Sequence, residues 1–307
     1  MSGILNPPST SKTSSGSPFL ESASITSLVR RVFLFILLIV CSEAVFLLGP
    51  NYYKLFPTNG NSIYVGSLAA AFLASAIIFK RTRRLSKYWE VAFAFFIASA
   101  VILVSVLFGR HLDQFVAFFG VSAATNPGLA LGKLYDTLLV VIPILALTLL
   151  SGNRLDSLYL KIGNLNYKWG LGIGSLILVN YFTSVLIFFG TGYAFSQLGS
   201  VVIWGIVFSF SNSLLEELWI RGLFLKKFIP LIGVSGSILL TSITFASMHY
   251  LSMAYLPAVT VPIFVVNTFT LGLACSILMV KTDSIWGAYL IHAAADLFLF
   301  IATLAYR

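Results

Sequence analysis

The last third of the chain carries ionisable side chains inside segments that are otherwise apolar. In chain order they are Glu216, Glu217, Arg221, His249, His292 and Asp296. Holding such a group at the centre of a bilayer costs at least ~2.5–3.5 kcal/mol, and residues kept there at that cost usually serve function. Carboxylates and imidazoles are also the groups that activate water or bind metals. We therefore take this set as the candidate site.

The spacing of these residues predicts which of them share a helical face. Positions four apart lie on one face, and this relates Glu217 to Arg221, Phe245 to His249, and His292 to Asp296, while Ser209, Asn212 and Ser213 extend a polar stripe. Glu217 precedes Arg221 in the favourable order for an ion pair along a helix. Glu216 projects about 100° away from Glu217 and so needs different partners. Without a cation on its own helix, Glu216 suits the role of general base.

The composition predicts a protein that crosses the membrane many times. Of 307 residues, 58% are hydrophobic and 9% are charged, whereas soluble domains carry about 25% charged residues. Repeated apolar runs of about 20 residues indicate helices rather than the shorter alternating strands of a barrel. The expected fold class is all-α, a polytopic membrane helix bundle with about eight or nine transmembrane helices.

Apolar segments and their boundaries predict the organisation of the chain. Helices are expected at about 29–49, 63–79, 88–108, 131–150, 169–190, 200–228, 235–256, 258–280 and 285–304. Residues 1–28 are rich in Ser, Thr, Gly and Pro, which predicts a disordered cytoplasmic tail. Residues 29–198 form N-terminal transmembrane helices of unassigned role, and residues 199–303 form a helix core that contains the candidate site.

The distribution of positive charge predicts the orientation. The loops on the side of the N-terminus collect Lys12, Arg30, Arg31, Lys80, Arg81, Arg83, Arg84, Lys87, Arg154, Lys161, Lys168, Lys226, Lys227 and Lys281, against Lys54, Arg110, Lys133 and Arg307 on the other side. By the positive-inside rule, the N-terminus is cytoplasmic. The net charge of +9 does not indicate a nucleic-acid partner, because no basic stripe interleaves with aromatic residues.

Three motifs follow one another on late helices: E-E-x-x-x-R (Glu216, Glu217, Arg221), F-x-x-x-H (Phe245, His249) and H-x-x-x-D (His292, Asp296). This series resembles the CAAX-protease and bacteriocin-processing (CPBP, or Abi) family of intramembrane endopeptidases, which includes the type II CAAX prenyl endopeptidases. The resemblance covers residues 199–303 and does not extend to the first two-thirds of the chain.

The resemblance implies a role for each motif residue. Glu216 would activate a water that His249 shares, while His292 and Asp296 would stabilise the oxyanion of the tetrahedral intermediate. The supporting residues would be Glu217, Arg221 and Phe245. One departure is that many members have Asn where this chain has Asp296. An ionised Asp donates no hydrogen bond, so it could serve an oxyanion only when protonated or by acting through His292.

A zinc ion is the alternative to a metal-independent site. Glu216, His249, His292 and Asp296 together offer two nitrogens and two oxygens, a donor set that suits zinc. The chain has no H-E-x-x-H motif, which favours hydrolysis without a metal, so no cofactor is expected.

These observations favour an intramembrane endopeptidase embedded in the lipid bilayer. Expected substrates are prenylated C-terminal tails, leader peptides of secreted peptides or membrane-anchored regulators. The expected membrane is a bacterial plasma membrane, with the endoplasmic reticulum as the alternative. Two rival functions remain: a transporter that uses the buried groups as a proton relay, and a catalytically silent membrane scaffold.

Overall fold

The computed structural model describes residues 25–50, 60–164, 167–189, 198–249 and 261–305, which are mostly helical. The helices are α1 (Ile25–Glu43, continued by π-helical Ala44–Leu48), α2 (Asn61–Arg81), α3 (Trp89–Phe108), α4 (Leu112–Phe118), α5 (Asn126–Leu150), α6 (Tyr167–Phe189), α7 (Leu198–Glu216, continued by π-helical Glu217–Gly222), α8 (Leu223–Met248), α9 (Val261–Thr282) and α10 (Trp286–Ala305). No β-strand occurs in the residues described. The predicted all-α membrane bundle is confirmed.

Six helical segments of the described residues are long and apolar enough to cross a bilayer. They are Ser27–Leu48, Asn61–Arg81, Ser86–Phe118, Asn126–Leu150, Val201–Met248 and Val261–Thr282, and the apolar helix Trp286–Phe300 is shorter. Within the longest segment, Gly233 has φ 79° and ψ 170°, a conformation that favours glycine. The chain reverses direction there, since His249 returns to within 3.7 Å of Glu216. The total of nine crossings stays a prediction.

Several helix boundaries differ from those predicted by the apolar runs. The helix expected at 131–150 begins at Asn126, because the Gly128 N–H donates to the Thr125 hydroxyl at 3.2 Å and caps the first turn. The helix α1 begins at Ile25, inside the segment assigned to the tail, and residues 1–24 lie outside the described residues. The helix expected at 235–256 ends at Met248, and its predicted remainder from residue 250 onward also lies outside them.

Several segments of the chain lie at one end of the bundle, which is called here the basic end. They are the start of α1, the turns that join α2 to α3, α5 to α6 and α9 to α10, and the bend in α8. There, Lys226 donates to the Asp156 carbonyl at 2.7 Å and pairs with Asp283 at 2.8 Å, and Lys161 pairs with the same carboxylate. Burial opposes ionisation of Asp283, but its contacts with the two lysines outweigh it and lower the pKa of Asp283 below its usual value. The opposite end, called the far end, carries Asn61 and Lys133.

Aromatic side chains join the N-terminal helices to the helix that carries the glutamates. Phe46 of the π-helical part of α1 packs edge-on against Trp219 with ring centroids 5.0 Å apart. Phe95 of α3 lies 4.7 Å from Phe224 by the same measure. Rings at these distances add specific attraction to the burial of apolar area. The helices α1 and α3 therefore pack against the continuous stretch formed by α7 and α8.

Candidate active site

The helix α7 changes from α- to π-helical between the two glutamates. Glu216 is the last α-helical residue, and all six residues of the π-helical segment Glu217–Gly222 are buried. Short π-helical turns inside α-helices occur frequently at functional sites, where the wider turn redirects side chains. The change of helix type here separates the surroundings of two carboxylates that are adjacent in sequence.

Glu217 and Arg221 form an ion pair that is completely buried. The Arg221 Nη1 lies 2.5 Å from the Glu217 Oε1, and both side chains are 0% exposed. The Arg221 Nε donates to the Ser276 hydroxyl at 3.3 Å, and the guanidinium lies 4.3 Å from the ring centroid of Phe245, a favourable cation–π contact. The predicted pairing of Glu217 with Arg221 is confirmed.

His292 lies between the two glutamates and contacts each through a different nitrogen. Its Nδ1 is 2.8 Å from the Glu217 Oε1, and its Nε2 is 3.5 Å from the Glu216 Oε2. A nitrogen this close to a carboxylate carries the proton and donates, so the Nε2 is directed toward Glu216. His292 therefore contacts both glutamates, but it hydrogen-bonds only to Glu217.

His249 follows Met248, the last residue of α8, and closes the other side of Glu216. Its Nδ1 is 2.7 Å from the Phe245 carbonyl oxygen, which can only accept, so the Nδ1–H is the donor. The Nε2 then points toward the Glu216 Oε2, 3.7 Å away. In the neutral ring this nitrogen presents a lone pair to the site.

Asp296 completes the cluster one turn after His292. Its Oδ1 lies 3.6 Å from the His292 Nε2, and its Oδ2 accepts a hydrogen bond of 2.9 Å from the Asn212 side chain. The structure therefore brings Glu216, His249, His292 and Asp296 together, with Glu217 holding His292 from behind.

Two cavities meet at this cluster. The smaller, of about 50 Å³, is lined by Tyr181, Phe245, His249, Phe264, Asn267, Thr268, Leu271, His292, Asp296 and Leu299. The larger, of about 440 Å³, is called here the far-end cleft and is lined by Pro50, Asn61, Ile102, Ser105, Val106, Lys133, Asp136, Val140, Leu215, Glu216, Trp219, Met248 and His249. His249 borders both. The Glu216 Oε2 is buried and has no hydrogen-bond partner among the described residues, so a small polar molecule could bind there.

A comparison with known families agrees with this geometry. Residues 197–298 match the family model described as type II CAAX prenyl endopeptidase Rce1-like. The segment that carries the cluster is therefore similar to the CAAX-protease family. The match includes all three motifs of the cluster and ends before the last helix does. No curated protein and no solved structure matches the chain significantly.

The donor set of the matched segment is also compatible with a zinc ion. His249 and His292 each use the Nδ1 on a carbonyl or carboxylate oxygen and direct the Nε2 toward Glu216, as metal-binding histidines commonly do. A tighter group, with ligand atoms all within 4.8 Å, is Glu217, Cys275 and His292. The Arg221 guanidinium already neutralises Glu217 there, which disfavours a second cation. No lysine or arginine of the described residues pairs with Glu216, so this objection does not apply to the predicted set.

Some residues of the site carry no motif that sequence reasoning could have used. Tyr181 of α6 and Asn267 of α9 line the smaller cavity, and Ser276 of α9 binds Arg221. Each is a polar residue in an otherwise apolar helix, and that is the signal that could have identified them. Cys275, which composition suggests is a small buried apolar residue, is buried and lies 3.7 Å from the Ala288 carbonyl oxygen.

We expect Gly272→Ala to damage the site. A Cβ at Gly272 would lie 3.1 Å from the Ser242 Cα and 3.3 Å from the Arg221 Nη2, so α9 would move away from α8 or displace the guanidinium. Overpacking of this kind costs about 1–3 kcal/mol. The measurements are thermal unfolding in detergent and cleavage activity. The matched control is Gly66→Ala in α2, where no described atom beyond the neighbouring backbone of the same helix lies within 4 Å of the added carbon. Equal behaviour of the two variants would contradict the close approach at Gly272.

Proposed function

We propose that the chain is an intramembrane endopeptidase that hydrolyses a peptide bond of a membrane-associated or lipidated protein or peptide. The observation that carries this proposal is the position of the Glu216 Oε2. It is buried without a described hydrogen-bond partner, lies 3.7 Å from the His249 Nε2 and 3.5 Å from the His292 Nε2, and borders the far-end cleft, which could hold a peptide.

The nucleophile in this proposal is a water held by Glu216 and His249. The His249 Nε2 is an acceptor because the Nδ1–H donates to the Phe245 carbonyl. A water can therefore donate one hydrogen to the Glu216 carboxylate and the other to His249, which leaves an oxygen lone pair for the carbonyl carbon. As the C–O bond forms, Glu216 takes the proton, and it returns that proton to the leaving amine when the C–N bond breaks.

The oxyanion in this proposal is stabilised by His292. Glu217 fixes the Nδ1–H of His292 at 2.8 Å, and a proton on the Nε2 would donate to the developing negative charge. A protonated Asp296, whose Oδ1 lies 3.6 Å from the same nitrogen, would donate a second hydrogen bond to this charge. Donors that are already in place and shielded from bulk water stabilise such charge by about 2.7–4 kcal/mol each.

Zinc hydrolysis is the alternative version of this proposal. The ion would be held by Glu216, His249, His292 and Asp296, and it would supply a Lewis acid that polarises the carbonyl and lowers the pKa of a bound water. The four residues would then serve as ligands.

The transporter and scaffold functions are rivals that the same experiments separate. A scaffold or a transporter does not cleave peptide bonds. Cleavage of a peptide by the purified protein would therefore show that neither function is sufficient to describe it. The probes are synthetic peptides of three kinds: prenylated tails, leader peptides and juxtamembrane segments of anchored proteins. We place the protein in a bacterial plasma membrane, with the endoplasmic reticulum as the alternative.

Glu216→Gln should abolish cleavage while the fold stays intact, because an amide cannot take a proton from water. The expected loss in turnover is at least about 10²-fold, the usual contribution of a general base. Turnover is measured on the best peptide substrate, and folding by thermal unfolding in the same detergent. Glu90→Gln, at the exposed start of α3, is the matched control and should keep full activity. Retained turnover in Glu216→Gln would exclude this residue as the base.

Asp296→Asn should keep activity within about tenfold, which is about 1.4 kcal/mol on the barrier. The amide oxygen can still accept from Asn212, and the NH2 group would donate to the oxyanion beside the His292 Nε2–H. Asp296→Ala, which removes both contacts, should lose about 10²–10³-fold. The measurement is kcat for the two variants. If the Asn and Ala variants are equally inactive, the negative charge of Asp296 is required and the proposed oxyanion role fails.

Exhaustive chelation separates the two hydrolytic versions. In the metal-independent version, dialysis against a strong chelator leaves kcat unchanged, because Glu216 alone removes the proton. Metal content by mass spectrometry, compared between the wild-type protein and Glu216→Gln, is the accompanying measurement. Inactivation that added zinc reverses, together with loss of bound metal in the variant, would support the zinc version instead.

A further inference from the structure

The far-end cleft connects the candidate site to one end of the bundle. Its lining runs from Asn61 and Lys133, at the far end, to Glu216 and His249 in the interior. At its mouth, Lys133 lies 3.9 Å from Asp136, and their side chains are 26% and 48% exposed. Within the described part of the chain, a cleft of about 440 Å³ with several polar side chains therefore leads from that end to the Glu216 carboxylate.

The route from Glu216 to the basic end is filled with protein. Along the helix, ~15 Å separate Glu216 from Lys226. The π-helical segment Glu217–Gly222 occupies the first part of this distance and is buried throughout. The residues that follow it, Leu223, Phe224 and Leu225, are at most 2% exposed. At the surface, Lys226 is held by the Asp156 carbonyl and by Asp283.

The chemistry of the lining also favours the far-end cleft as a peptide site. An extended peptide cannot pair its N–H and C=O groups internally, so within the membrane it needs polar partners from the protein. The cleft offers Asn61, Ser105, Lys133 and Asp136. A second large cavity, of about 420 Å³ between α1, α2 and α3, is lined almost entirely by apolar side chains, and no residue of the candidate site borders it. It suits a lipid chain better than a peptide.

We propose that the substrate enters the far-end cleft from the non-cytoplasmic side of the membrane. This inference rests on the proposed proteolytic function and adds a substrate class to it. The positive-inside rule places the basic end in the cytoplasm, and so the far end outside it. The substrate is then a peptide segment exposed on the non-cytoplasmic face, as in a leader peptide or the juxtamembrane part of an anchored protein. A prenylated tail on the cytoplasmic face would meet the closed end.

The test uses a matched pair of serine-to-cysteine variants in sealed membranes. Ser105→Cys places a thiol in the cleft and Ser86→Cys places one on the exposed turn at the basic end. Both are made in a Cys41→Ser background, since Cys41 is only half-buried, whereas Cys275 is 1% exposed and is retained. A bulky, membrane-impermeant maleimide is applied to inside-out or right-side-out vesicles, and cleavage is then measured in detergent.

The expected result has two parts. The Ser105→Cys protein reacts only from the non-cytoplasmic side, and the attached group lowers cleavage by at least about tenfold because it occupies the cleft. The Ser86→Cys protein reacts only from the cytoplasmic side and keeps its activity. Labelling of both thiols from the same side, or full activity after complete labelling of Ser105→Cys, would overturn the proposal.

Failure of this inference can be told apart from failure of the proteolytic function. The side from which Ser105→Cys reacts is read without any cleavage, so it decides the direction of the cleft even if no peptide is hydrolysed. If the unlabelled protein cleaves none of the three kinds of peptide in detergent, the proteolytic function fails. If it cleaves peptides and the thiols react from the same side, only the direction of entry is wrong.

Discussion

The arrangement of the candidate site depends on the buried ion pair between Glu217 and Arg221. Two charges removed from water stabilise each other, and removing one partner of such a pair typically costs 3–5 kcal/mol. Arg221 is held by Ser276 and by the face of Phe245. Glu217, which Arg221 holds in place, accepts a hydrogen bond from the Nδ1 of His292. This contact directs the Nε2 of His292 toward Glu216. The orientation of the reactive groups therefore follows from an interaction that itself does no chemistry.

The two π-helical segments of the described residues serve the same site from different parts of the chain. The segment Glu217–Gly222 begins directly after Glu216 and so separates the two glutamates. The other, Ala44–Leu48, follows Glu43 in α1. Glu43 accepts a hydrogen bond of 2.8 Å from the Ser247 hydroxyl, two residues before His249. The position of His249, at the end of α8, is thus tied to the first helix. Both π-helical segments thus lie where a wider helical turn changes the direction of side chains near the site.

The sequence predicts the parts of the site that depend on helical periodicity. The spacing of four residues predicts the pairing of Glu217 with Arg221. The free-energy cost of burying an ionisable side chain in the membrane identifies the residues of the cluster. Contacts between distant segments could not be predicted in this way, such as Asn212 with Asp296 or Glu43 with Ser247, because they depend on how helices pack rather than on spacing within one helix. The contact of His292 with both glutamates was missed for the same reason. Helix ends beyond the apolar runs, as at Asn126, depend on capping groups rather than hydropathy.

The residues of the proposed chemistry and the residues at the mouth of the cleft come from different parts of the chain. The matched segment, residues 197–298, supplies every residue of the proposed mechanism. The mouth of the far-end cleft comes instead from α2, α3 and α5, through Asn61, Ser105, Lys133 and Asp136, which lie outside the matched segment. A substrate that binds in this cleft would contact those helices before it reaches Glu216. Substrate choice would then be set by the part of the chain that family comparison leaves unassigned, and a common cluster of carboxylates and imidazoles could act on different peptides by changing only the helices around it.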